Sequence, residues 1–188
     1  MQDNRDPFSV LVELSKILAE SVGPGQTLQH TAEFLAKRFS VDVCSIYTLD
    51  SRGKGVRLEA TQGLDPESIG RIRMDAGQGL TGMVLQRRSP VFALRPQEHP
   101  EFQYFRESGE ERLSTFLGVP LIYQQELLGV LVVQTEAEDG LSREQTEIFQ
   151  AIASQIAALV AYTGLLDHFS ADSAGKTPDS GEATESSP

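Results

Sequence analysis

Residues 116–134 read FLGVPLIYQQELLGVLVVQ, and this stretch decides the fold. Thr115 to Tyr123 and Leu127 to Gln134 are two strands rich in β-branched and aromatic residues. Gln124-Gln125-Glu126 between them signals a hairpin. Leu127 to Val133 is almost entirely apolar, which predicts a central strand covered on both faces rather than one that alternates between core and solvent.

Upstream, Val91 to Ala93 is a brief strand after the Ser89-Pro90 stop, and residues 94–112 form a long, poorly patterned connector. Connectors of that length inside a compact domain are usually functional or disordered. Its aromatics Phe102, Tyr104 and Phe105 suit a cover over the sheet. Gly77-Gln78-Gly79-Leu80-Thr81-Gly82 leads into a short helix over Met83 to Arg87. Val43 to Leu49, a turn at Asp50-Ser51-Arg52-Gly53, and Val56 to Thr61 make a further hairpin closed by Gly63, and Ile69 to Met74 is a short third strand. At the N-terminal side the period changes to 3.6. Residues 7–22 carry Val10, Leu14, Ile17, Leu18 and Val22 on one stripe, with Asp6 as cap and Pro7 in the first helical position. Gly23-Pro24-Gly25 separates this helix from one over 26–39 that buries Leu28, Ala32, Leu35 and Phe39. Downstream, Ser142 with Gln145 three residues on is a capping box. It opens a helix to about residue 168 with Ile148, Ile152, Ile156, Leu159 and Leu166 along one side.

These elements predict an α+β sandwich: a central antiparallel sheet of about six strands, the terminal helices on one face, and the short middle helix with the connector on the other. The domain is expected over 7–168, after a short extension at 1–6. Residues 169–188 have no large apolar side chain after Phe169 and are expected to be a disordered acidic tail.

Composition narrows the function. The 188 residues are 39% hydrophobic and carry a net charge of −11. That charge disfavours nucleic acid and anionic membrane surfaces as partners, and Arg87-Arg88 is only a pair, not a basic cluster. No apolar run approaches the ~20 residues of a membrane-spanning helix, and no apolar stretch follows a basic start as in a signal peptide. With one cysteine, Cys44, no internal disulfide and no Cys-rich metal site is possible. A cytoplasmic location is expected. His99, beside Pro100, has no second ligand at metal spacing, so neither a metal nor another cofactor is expected. Gly77, Gly79 and Gly82 are not followed by the lysine of a nucleotide-triphosphate loop.

VCSIYTLD (43–50), DAGQGLTGMV (75–84), QEHPEFQYF (97–105) and FLGVPLIYQQELLGVLVVQ (116–134), in that order, resemble a GAF domain. Within that family they are most similar to the N-terminal sensory domain of the nitrogen-pathway phosphoenolpyruvate-protein phosphotransferases, and the likeness covers about residues 7–168. It implies the same sandwich and a sensory role. The phosphotransferase activity does not carry over, because none of His30, His99 and His168 stands in a phosphoacceptor context. The polar tail favours a stand-alone protein that is read by another chain.

The resemblance also implies a small molecule bound between the sheet and its cover. The candidate contacts are Ser45 and Tyr47 on one face of the first strand, Thr61 on the returning strand, Thr81 at the start of the middle helix, and Gln134 at the end of the central strand. Phe92, Tyr104, Arg106 and Glu110 are candidates from the connector side. Free N–H groups at the helix start would suit a carboxylate. The duller readings stand beside these: Ser45, Thr61 and Thr81 serve local backbone bonds, and Arg106, Glu110, Glu111 and Arg112 form a solvated loop. Free-methionine-sulfoxide reductases of this fold need several cysteines, and the Asn-Lys-Phe-Asp-Glu signature of cyclic-nucleotide members is absent. Glutamine or 2-oxoglutarate are the expected ligands, with no catalysis. The stripe Val10, Leu14, Ile17 beside Ile152, Ile156, Leu159 is expected to build a homodimer. The alternative is a ligand-free dimerisation or protein-interaction module.

Overall fold

The computed structural model describes residues 7–21, 23–50, 53–103 and 112–174. Asp6, Val22, Tyr104, Phe105, Arg106, Glu110, Glu111 and the segment 175–188 lie outside the described residues.

Helix α1 (Pro7–Glu20) is followed by α2 (Pro24–Phe39). Pro24 opens the second helix instead of merely ending the first, because a residue without an N–H is least costly at the first helical position. Strands β1 (Val43–Leu49) and β2 (Gly55–Gln62) form the expected hairpin. The third strand is shorter and later than the sequence suggests: β3 is Arg73–Asp75, not 69–74. The cause is Asp65-Pro66. The Asp65 carboxylate accepts from Glu67 N at 2.9 Å and caps a 3₁₀ turn over Pro66–Ser68. Residues 70 and 72 then reach Leu58 through single bonds outside any ladder. Helix α3 (Gly79–Arg87) starts four residues before the expected Met83 and takes in part of the glycine segment. After β4 (Val91–Leu94), strands β5 (Thr115–Tyr123) and β6 (Glu126–Thr135) pair as predicted. Their two-residue connection is Gln124-Gln125, both at positive φ, the backbone that a tight twisted hairpin requires.

The last helix, α4 (Arg143–Ala174), continues past 168. Gly164 sits inside α4, and from there to Ala174 no proline or further glycine occurs, so nothing local stops the helix at Phe169. Its start is the predicted capping box: Gln145 N donates to Ser142 Oγ at 3.1 Å and Ser142 N donates to Gln145 Oε1 at 2.9 Å.

The sheet has six strands in the order β3-β2-β1-β6-β5-β4, with every neighbouring pair antiparallel. The apolar strand β6 is central, between β1 and β5. On one face α2 and α4 cover Cys44, Ile46, Leu117, Val119, Leu131 and Val133, and α1 packs against α2. Phe39 and Phe149 meet there with ring centroids 4.7 Å apart. On the other face α3 covers Val43, Tyr47, Phe116, Val130 and Val132. Gly118 lets α3 sit close: a Cβ at that position would lie 2.6 Å from a Val84 methyl carbon.

Candidate ligand-binding site between the sheet and helix α3

Strand alternation sorts the candidates. Because side chains on a strand alternate, Val43, Ser45 and Tyr47 point to the α3 side while Cys44 and Ile46 point to the helix layer. On β6 the same rule aligns Val130, Val132 and Gln134 on the α3 side, and Val43 pairs with Gln134. Asp42 anchors this end of β6: its carboxylate accepts from Thr135 Oγ1 at 2.9 Å and from Glu136 N at 2.8 Å.

Tyr47, Thr81 and Gln134 come together around one cavity. Phe116 of β5 completes its sheet wall. Ile72, just before β3, and Met74, within it, close one side. Gly79 and Leu80 contribute the start of α3, and Phe102 with Gln103 form the cover. The start of α3 is held in place by its own loop. Gln78 Oε1 accepts from Asp75 N at 3.0 Å, Gly77 N donates to Gly82 O at 2.9 Å, and a Cβ on Gly82 would stand 2.5 Å from Asp75 O. Gly79, Leu80 and Thr81 of the first turn of α3 line the cavity, and first-turn N–H groups have no earlier turn of helix to accept from them. Phe102 packs onto the apolar cluster of this face, as expected of a cover residue. The remaining space is small, about 20 Å³ by water-sized measure, close to the ~10–15 Å³ that one water needs. Outside Phe102 lies an open groove of about 590 Å³ between residues 75–79 and 100–103.

Ser45 and Thr61 face the same side but do not line the cavity. They are opposite each other in the β1–β2 ladder, and their hydroxyls share a 2.7 Å hydrogen bond. Thr61 is also gripped from α2. Gln29 Nε2 donates to Thr61 O at 2.9 Å, and Thr61 N donates to Gln29 Oε1 at 3.1 Å. An amide side chain thus supplies one rung where β3 has already ended. Phe92 is 46% exposed, and its neighbours Val91 and Ala93 are the β4 residues buried toward α3, so Phe92 points away from the cavity. Tyr104, Arg106 and Glu110 lie outside the described residues. The sequence reading missed Ile72, Met74, Gly79, Leu80, Gln103 and Phe116. Phe116 was within reach, since it pairs with Gln134 across the predicted hairpin. Gln103 carries no sequence signal.

Cys44 lies on the far face, fully buried, and desolvation pushes its thiol up to about 12. His99 serves the chain locally, its Nδ1 accepting from Glu101 N at 3.1 Å. Among the described residues no cluster of three His, Cys, Asp or Glu side chains could hold a metal, and no helix is long and apolar enough to cross a membrane.

This arrangement, a curled antiparallel sheet with terminal helices on one face and a small cavity under a short helix on the other, defines a class. The family model of the GAF domain matches residues 21–161, and the chain belongs to that family. The solved GAF domain of a phosphoenolpyruvate-protein phosphotransferase from Coxiella burnetii superposes with a TM-score of 0.80 at 28% identity. That match covers 89% of this chain and 99% of the other. The phosphoenolpyruvate-dependent phosphotransferase system protein of Escherichia coli is 33% identical over 124 residues, which is 66% of this chain and 17% of the relative. A Nif-specific regulatory protein of Azospirillum lipoferum is 29% identical over 133 residues, 69% of this chain and 21% of the relative. The chain thus spans about a fifth of the length of these curated relatives. Its domain is of the kind found in regulatory proteins of nitrogen metabolism.

Proposed function

We propose that this domain is a small-molecule sensor without catalytic activity of its own, acting in the cytoplasm and reporting to a downstream protein. The observation that carries the reading is the convergence of four polar side chains, Tyr47, Thr81, Gln103 and Gln134, in an otherwise apolar cavity between the sheet and α3. Few polar groups in an apolar concavity are what orient a bound metabolite. The likeness to nitrogen-regulatory proteins supports a metabolite of that pathway, with glutamine and 2-oxoglutarate as the first candidates. Two facts support the absence of catalysis: the lone thiol is on the opposite face and strongly disfavoured as a thiolate, and the described residues lining the cavity include no His, Cys, Lys, Asp or Glu.

We further propose a homodimer through the terminal helices, with a revised set of residues. Val10, Leu14, Ile152, Ile156 and Leu159, assigned to the dimer from sequence, are buried within the chain itself, and Ile17 is half-buried. Of that stripe, Leu14, Ile156 and Leu159 also line a groove between α1 and α4. Among the described residues the large apolar side chains exposed on these helices are Phe8, Leu11 and Val12 on α1 and Tyr162 on α4, and Leu11 and Tyr162 line the groove of about 520 Å³ between the two helices. Ligand entry would reorder the cover and shift the packing of these helices, a population shift.

Native mass spectrometry of gently purified protein tests both parts. A co-purified small molecule and a dimer mass are expected. A ligand-free spectrum, with no heat from glutamine or 2-oxoglutarate at millimolar concentration, would count against sensing. The ligand-free interaction module is the second reading, and one observation favours it: Phe102 already fills the cavity to about one water's worth of space.

A further inference from the structure

We infer that the cavity selects molecules carrying no net negative charge. The inference rests on the sensing reading above and names the ligand class of the same site. No Lys, Arg, Asp or Glu side chain lines the cavity among the described residues, so a buried carboxylate would find hydroxyl, phenol and amide partners but no counter-charge. Among the described lining residues the start of α3 offers the only fixed positive potential. A helix N-terminus stabilises an anion only modestly, less than the cost of burying an unpaired ion. One carboxylate is at best balanced and two are not, so of the two candidates above the inference retains glutamine and rejects the dianion 2-oxoglutarate.

The approach has the same sign. Anything larger than a water must displace Phe102 and come through the outer groove, and the charged side chains of that groove are Asp75 and Glu101, both carboxylates. Arg112 is paired with Glu136. An anion is therefore repelled at the mouth and left uncompensated inside. A neutral amide or a zwitterion with its ammonium outward is not.

Matched probes that differ only in charge give the test: L-glutamine against L-glutamate, and nicotinamide against nicotinate, titrated at millimolar concentration and followed by protein NMR. The amides are expected to bind at least about tenfold more tightly than the acids, and the exposed double variant Asp75→Asn, Glu101→Gln is expected to narrow that gap. Equal or tighter binding of the acids overturns the inference while leaving sensing intact. If that acid binding is lost in Arg106→Gln, the arginine is the missing counter-ion. Binding of neither member of either pair also overturns it, and the co-purification result then decides separately whether sensing survives. A co-purified species of net negative charge sinks this inference alone.

Discussion

The two faces of the sheet are built by different rules. Toward α2 and α4, the buried strand residues are apolar almost without interruption, from Cys44 and Ile46 to Leu131 and Val133. The polar residues buried on α2 there, Thr27 and Thr31, turn their hydroxyls back onto the carbonyls of residues 23 and 27, at 2.9 and 2.7 Å. Toward α3, Ser45, Tyr47, Thr61, Thr81 and Gln134 are interleaved with the apolar set, and a cavity remains among them. The first face is filled by apolar side chains of the sheet and helices. The second gives up some packing for polar groups in a small cavity, which is where recognition can be placed without unfolding the domain.

Substitutions on each face can break that contrast. Phe149 is fully buried against Phe39, so Phe149→Ala should cost about 3–5 kcal/mol in urea unfolding followed by circular dichroism. Gly118→Ala forces a carbon to within 2.6 Å of Val84 and should cost about 1–3 kcal/mol, loosening α3 while leaving the helix layer in place. Protection of α3 amides in hydrogen exchange should fall more than that of α4. Ser45→Ala and Thr61→Ala, measured singly and together, should show a coupling of about 1 kcal/mol; additivity would mean that the 2.7 Å bond contributes nothing. Thr81→Val should change stability by less than about 1 kcal/mol and act on ligand binding instead. If it destabilises as much as Phe149→Ala, the α3 face is an ordinary core.

Cys44 gives the smallest effect at neutral pH. Burial raises the folded thiol from 9.0 to about 12, so the unfolded chain ionises first. Stability is then unaffected below pH about 9 and declines as pH rises from there toward 12. The slope should vanish in Cys44→Ala. A thiol reagent at pH 8 should react only as fast as the domain opens; rapid reaction with folded protein would place Cys44 at the surface.

Strands were legible where alternation or an apolar run was long. β1 and β5 have the predicted bounds, and the capping box at Ser142 sets the start of α4. The third strand misled because Ile69, Ile72 and Met74 look like strand residues, yet the turn at Asp65-Pro66 delays the ladder to Arg73. Of the candidate site, Tyr47, Thr81 and Gln134 were found because strand parity and a helix start can be read locally. Phe92 was misplaced by one parity step, since a four-residue edge strand next to an unpatterned connector has too few residues to fix its faces.

By itself the sequence determined the order and type of the elements, the central place of β6 and the family, because periodicity, caps and turn residues act over a few neighbouring positions. Only the tertiary structure decided that Ser45 and Thr61 satisfy each other, that Gln29 completes β2, and that Val10 and Ile156 belong to the chain's own core. It also decided that the described residues lining the cavity are uncharged and that Asp75 and Glu101 line the groove beside it. Those facts depend on which residues distant in sequence meet in space, and a one-dimensional pattern specifies which face a residue takes but not the partner it finds there.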